Sequence, residues 1–179
     1  MRKELIDTQN INRKINVHEN TNFSNKDRVD DGCYRIIPIL NNLMSIHAGA
    51  NKFELSQKSN SEDNYFNISY DLKSQAYTIC QKDYMFDYYL YWNGVSTDKK
   101  NLNNIPLFPN ITELGEESFW IIEHVEDGNY LIRNKQKLEL VFDIHNYYPN
   151  NGAPIKLTKQ RPVSSPGRGA QLFKLEKLK

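Results

Sequence analysis

A chain of 179 residues is long enough to bury one ordinary hydrophobic core, and 39% hydrophobic with 25% charged residues is the balance of a folded, water-facing domain. The formal net charge of +1 argues against nucleic acid as the main partner, because phosphate recognition draws on a marked excess of Lys and Arg. Runs of about eighteen apolar residues are absent, so no membrane-crossing helix is expected. The two cysteines, Cys33 and Cys80, are too few for a disulfide framework and read as small buried hydrophobes.

Residues 1–30 differ in texture from the rest. Asn, Lys, Arg, Asp and Glu dominate, and Leu5, Ile6, Ile11, Ile15, Val17 and Phe23 are spaced too irregularly for a long amphipathic helix. The stretch reads as a polar N-terminal arm or tail, in which Ile11-x-x-x-Ile15-x-Val17 could form a short strand against a partner's edge. Met1-Arg2-Lys3 is followed by no continuous apolar run, so no signal peptide is visible.

From Gly32 the chain turns to short apolar runs punctuated by Asn, Asp, Gly and Pro, the mark of strands and tight turns. Tyr34-Arg35-Ile36-Ile37, Tyr65-Phe66-Asn67-Ile68, Tyr88-Tyr89-Leu90-Tyr91-Trp92 and Phe119-Trp120-Ile121-Ile122 are of strand length and too short for typical helices. A pattern of polar, any, aromatic, any, aliphatic recurs as Asn64-x-Phe66-x-Ile68, Glu117-x-Phe119-x-Ile121 and Gln171-x-Phe173-x-Leu175, at intervals of 53 and 54 residues. Tyr77 and Tyr130 follow the first two copies at the same distance, and Tyr34 opens the series. Three markers in a constant phase predict three repeats of about 50 residues, running roughly 31–66, 67–119 and 120–179. Short strands repeated three times can remove their exposed edges by closing on themselves. Phe66, Phe119 and Phe173 are then the expected core signature, with Tyr34, Tyr77 and Tyr130 near the floor of the closed sheet.

Gln171-x-Phe173, and more loosely Asn64-x-Phe66 and Glu117-x-Phe119, resemble the Gln-x-Trp signature that closes each repeat of the ricin-B-type β-trefoil lectins. The resemblance covers residues 31–179 and implies an all-β trefoil domain there, with residues 1–30 outside it. Within that family, Asp63-Asn64-Tyr65-Phe66-Asn67-Ile68-Ser69-Tyr70 and the terminal Gln171 to Lys177 are most similar to the small hemagglutinin component of clostridial neurotoxin complexes. That likeness implies an extracellular protein released without a visible signal peptide. The implied role is a non-enzymatic adaptor in a toxin-associated or hemagglutinin assembly, and the exposed aromatics expected in Tyr84-Met85-Phe86-Asp87-Tyr88-Tyr89 would hold another protein of it.

The alternative the family implies is a lectin for a galactose-type sugar, such as a cell-surface glycan. In such trefoils an Asp accepts hydrogen bonds from vicinal hydroxyls, a ring stacks on the sugar's apolar face and a neighbouring amide completes the contacts. Asp143 and Gln171 match that pattern in the third repeat, beside Lys156. Thr158 stands where the stacking ring belongs and Ala170 where an Asn belongs, so Tyr147 or Tyr148 would have to supply the ring. In the second repeat Phe108 could serve as a ring, but the Asp position falls near Tyr91 or Trp92. The first repeat has His47 near that position and Ser56 in place of the ring.

Enzyme chemistry finds little support. His18, His47, His124 and His145 show no metal-ligand spacing, and neither a metal nor another cofactor is expected. Asp143 and His145 would share one face of a strand without a third ligand or nucleophile, and Glu116-Glu117 point to opposite faces. Ser164 to Gly169 contains glycine but precedes a strand rather than a helix, which excludes a phosphate loop. The basic end of the chain, with Lys156, Lys159, Arg161, Arg168, Lys174, Lys177 and Lys179 against Glu176, reads as a solvated face.

Overall fold

The computed structural model describes residues 28–49, 52–82, 87–92, 107–109 and 114–179. Within them lie twelve strands: β1 (Gly32–Pro38), β2 (Met44–Gly49), β3 (Lys52–Gln57), β4 (Phe66–Asp71), β5 (Ala76–Lys82), β6 (Asp87–Leu90), β7 (Leu107–Pro109), β8 (Trp120–His124), β9 (Tyr130–Asn134), β10 (Leu140–Ile144), β11 (Ile155–Lys159) and β12 (Phe173–Lys177). Only short 3-10 turns interrupt them, and among the described residues no helix is long and apolar enough to cross a membrane.

Pairing is antiparallel throughout. Strand β1 lies between β4 and β12, β5 between β4 and β8, and β9 between β8 and β12, so six strands return on themselves as a closed ring. The other six form the hairpins β2–β3, β6–β7 and β10–β11. Closure leaves the ring strands no open edge, as expected from the short-strand pattern.

Alternation explains which side chains fill the ring. Phe66 and Ile68 of β4, Trp120 and Ile122 of β8, and Phe173 of β12 point inward and are buried, while Ser69 and Lys174 face water. Phe142, from hairpin β10–β11, packs edge-on against Phe53, Trp120 and Phe173 with ring centres 5.6, 5.1 and 6.2 Å away. Hairpins and ring thus share one core, and each fully buried side chain of this size contributes about 1.5–3 kcal/mol.

The register corrects one core assignment. Tyr34 pairs with Phe66 and Tyr130 with Phe173, but Tyr77 pairs with Trp120, not Phe119. The second marker is therefore Ser118-x-Trp120, one residue later than the pattern Glu117-x-Phe119. Phe119 is buried at 8% exposure but lies outside the main core cluster, whereas Trp120 is wholly inside it and its indole N–H donates to the Leu90 carbonyl at 3.0 Å. Two adjacent aromatics fit the motif equally well as letters, and only strand pairing decides which one turns inward.

The ends of the expected units also move. Strand β4 begins at Phe66 and runs to Asp71, and β8 runs on to His124, so each marker opens a strand instead of ending one. Residues 1–27 of the expected arm lie outside the described residues. Residues 28–30 contact the ring: Val29 belongs to the core, its N–H donates to the Tyr77 hydroxyl at 2.9 Å, and the Arg28 guanidinium lies 3.6 Å from the centre of the Tyr70 ring.

Candidate functional site

Each of β4, β8 and β12 is preceded by a 3-10 turn, Glu62–Asn64, Glu116–Ser118 and Arg168–Gln171, whose last residue is buried. The three polar residues Asn64, Ser118 and Gln171 are what the Gln of the repeated signature becomes. A buried amide must satisfy its donors and acceptor, and Gln171 does so fully. Its Nε2 donates to the Lys159 carbonyl at 3.0 Å, to Thr158 Oγ1 at 3.0 Å and to Asp143 Oδ2 at 3.2 Å, while its Oε1 accepts from the Arg161 N–H at 2.8 Å. Asn64 repeats the scheme more simply, donating to Ser56 Oγ at 2.8 Å and to the Ile46 carbonyl at 3.3 Å.

Hairpin β10–β11 turns Phe142, Ile144, Ile155 and Leu157 to the core. Its other face carries Val141 and Asp143 opposite Thr158 and Lys156, and the 3-10 turn Arg168–Gln171 covers that face. The equivalent face of hairpin β2–β3 has His47 opposite Glu54, so among the described residues the third lobe alone pairs an Asp with a Lys there.

Asp143 is not the surface acceptor that the resemblance implies. It is completely buried. Oδ2 accepts from the Thr158 hydroxyl and from Gln171, and forms an ion pair with Arg161 Nη2 at 2.6 Å. Oδ1 is buried without a hydrogen-bond partner. Burial and the ion pair follow from position: the hairpin face lies under the segment that carries Arg161, and a carboxylate there needs a cation beside it.

Arg161, which reading the sequence placed only within a basic, solvated run, organises this lobe. One side of its guanidinium meets Asp143, Nη1 donates to the Gly167 carbonyl at 3.2 Å, and its carbon Cζ lies 4.6 Å from the centre of the Tyr147 ring. The Tyr147 ring also presses on Gly167, where a Cβ would come within 2.7 Å of ring atom Cε1. Only glycine admits so close an approach.

Tyr147 and its neighbour Asn146 have φ of 61° and 55°, in the left-handed region that a bulky side chain rarely adopts. Such strain, of order 1–3 kcal/mol, is retained where surroundings over-determine it. Here it turns the ring back over the hairpin, with 51% of Tyr147 exposed to solvent and Tyr148 exposed beside it. At the same end, Lys156 Nζ lies 3.2 Å from His145 Nδ1. Burial, and then the Lys156 ammonium, push the His145 pKa below the ordinary imidazole value.

Of the five candidate residues, Asp143 and Gln171 are therefore internal, while Lys156, Tyr147 and Tyr148 form a lip above them. Phe108 of the second lobe lies on β7, and its side chain is outside the described residues. Among the described residues no group of three or more His, Cys, Asp or Glu side chains is placed to hold a metal ion.

This ring with its capping hairpins matches solved structures. A mosquitocidal holotoxin matches with a TM-score of 0.71 at 20% identity, over 85% of this chain and 18% of that one. The fold is a β-trefoil. A ricin B-like lectin of Macrolepiota procera, solved with lactose, matches at 0.63 and 14% identity over 84% of this chain and 99% of the lectin. A β-1,3-galactosidase matches at 0.60 and 16% identity over 80% of this chain and 26% of the enzyme chain. No family model and no curated protein matches the sequence. The trefoil spans less than a fifth of the holotoxin chain.

Proposed function

We propose that the chain is a non-enzymatic, carbohydrate-binding trefoil of the ricin-B lectin type that engages a galactose-type sugar at its third lobe. The observation that carries this reading is the Tyr147 ring, half exposed, turned over the third lobe by its left-handed backbone and held there by Arg161, with Tyr148 exposed beside it. A Tyr ring exposed in this way stacks on the apolar face of a sugar. The trefoil lectin solved with lactose supports the same reading by its fold. In this proposal the three repeats of about 50 residues make up a domain over 31–179, and residues 1–30 form an arm.

Few contacts are available, each net hydrogen bond contributing about 0.5–1.5 kcal/mol, so affinity near millimolar, about −4 kcal/mol, is expected. Lactose titration followed by backbone amide signals tests it. Shifts should cluster at residues 143–148 and 156–171 and vanish in Tyr147→Ala; shifts confined to another lobe would refute the site.

A second reading, an extracellular adaptor in a toxin or hemagglutinin assembly, is favoured by one observation. Leu40 and Leu43, exposed at 45% and 70%, sit in the turn after β1 that bonds the Pro149 carbonyl through Asn41, beside exposed Tyr148. The holotoxin match supports it by fold. Of the contact surface expected over residues 84–89, residues 84–86 lie outside the described residues, and Tyr88 and Tyr89 of β6 are half-buried rather than exposed.

A further inference from the structure

Four exposed apolar side chains meet on one face of the molecule: Leu40 and Leu43 in the link from β1 to β2, and Tyr147 and Tyr148 in the link from β10 to β11. Two contacts join the pairs. Asn41 Nδ2 donates to the Pro149 carbonyl at 3.1 Å, which fixes the leucine turn beside Tyr148. Leu40 rests on Gly169, where a Cβ would come within 2.8 Å of Leu40 Cδ2, just as Tyr147 rests on Gly167. Those two glycines are at most about 7 Å apart along the chain.

The fold itself does not ask for these leucines. Residues 135–139, from β9 to β10, form a link as long as residues 39–43 and close it in the same way: the Leu140 N–H donates to the Lys137 carbonyl, and the Met44 N–H to the Asn41 carbonyl. At the positions of Leu40 and Leu43 it carries Gln136 and Glu139. A lone exposed leucine needs no explanation, but a contiguous apolar patch marks a binding surface.

We infer that the leucine turn extends the third-lobe sugar site into a shelf for an alkyl aglycone, so that the ligand class is a galactoside of glycolipid type. The sugar ring stacks on Tyr147, and the first methylenes of the chain lie along Tyr148, Leu40 and Leu43. This rests on the lectin reading of the same lobe and deepens it. The area suits that occupant: the four side chains expose roughly 500 Å², less than the about 800 Å² a stable protein interface takes from each partner. The cations on its border are already paired, Lys58 with Glu176 and Arg161 with Asp143. The shelf is also preorganised, since the Leu43 N–H donates to Asn41 Oδ1 at 3.1 Å within the turn.

Titrations with methyl β-galactoside and octyl β-galactoside, the second kept below its micelle concentration and both followed by backbone amide signals, test the inference. Each methylene covered should tighten binding about fourfold, so the octyl compound should bind at least about tenfold more tightly, with shifts reaching residues 40–43. Leu40→Gln and Leu43→Glu, which copy the residues of the β9–β10 link, should each reduce the ratio of the two affinities. The ratio and the shifts at residues 40–43 in the unaltered protein give the same answer if a variant folds poorly. Equal binding of the two galactosides, or an octyl advantage that both variants keep, would overturn the inference and leave the lectin reading standing. Binding of neither would overturn both.

Discussion

Arg161 shows how much a single side chain can carry in a lobe this small. It neutralises a carboxylate with no access to water, closes the loop through the Gly167 carbonyl and supports the Tyr147 ring. Removing one partner of a buried ion pair strands the other charge. Arg161→Ala is therefore expected to cost about 3 kcal/mol, the lower end for a buried pair because the Arg161 side chain keeps some solvent contact. Asp143→Asn with Arg161 intact should cost less, since the amide can still accept from Thr158. Urea denaturation of the two variants measures the difference, and the reverse order would refute the clamp.

Between elements, the phase of the aromatic marker is the decisive feature. Strand β8 starts one residue later than the letter pattern suggests, so Trp120 takes the place that Phe66 and Phe173 hold in β4 and β12. Trp120→Ala is expected to destabilise by about 3–5 kcal/mol, as a large core truncation does. Phe119→Ala, at a residue outside the main core, should cost clearly less. Equal shifts in denaturation midpoint would show that both rings carry the core together. The β10–β11 hairpin makes a parallel point, since its strained connection at Asn146 and Tyr147 aims a ring that strand periodicity by itself would leave undirected.

For the whole molecule, the last strand closes the ring against the first. Arg35 of β1 reaches Glu176 of β12 at 2.6 Å, and it also donates to the Ser59 carbonyl, Asn60 and the Tyr65 hydroxyl, while Lys58 meets the second Glu176 oxygen at 2.5 Å. The hydrogen bond from Lys58, followed by that from Arg35, holds the Glu176 carboxyl below the usual carboxylate range. A depressed carboxylate pKa contributes stability above its unfolded value, lost as pH falls through its folded value. Thermal melts should accordingly show a smaller drop on acidification through the carboxylate range in Glu176→Gln than in the parent; an identical drop would remove this clamp from the acid response. The effect is expected to be modest, because the carboxylate is partly exposed and screened.

The order of residues along the chain was enough to determine the closed all-β architecture, the burial of Phe66 and Phe173 and the third repeat as the one that carries Asp143 together with a signature Gln171. Local pattern suffices there, because inward alternation, turn residues and a near-constant spacing are properties of the chain itself. Tertiary structure alone decided that Trp120 rather than Phe119 turns inward, that Val29 joins the core and that Asp143 is sealed beneath Arg161. Each of these depends on which distant segment covers a face: Tyr77 across from β8, the Tyr77 hydroxyl meeting Val29, and the residue 161–171 segment folding over β10–β11. Contacts between residues 10 to 48 positions apart leave no periodic trace in the sequence.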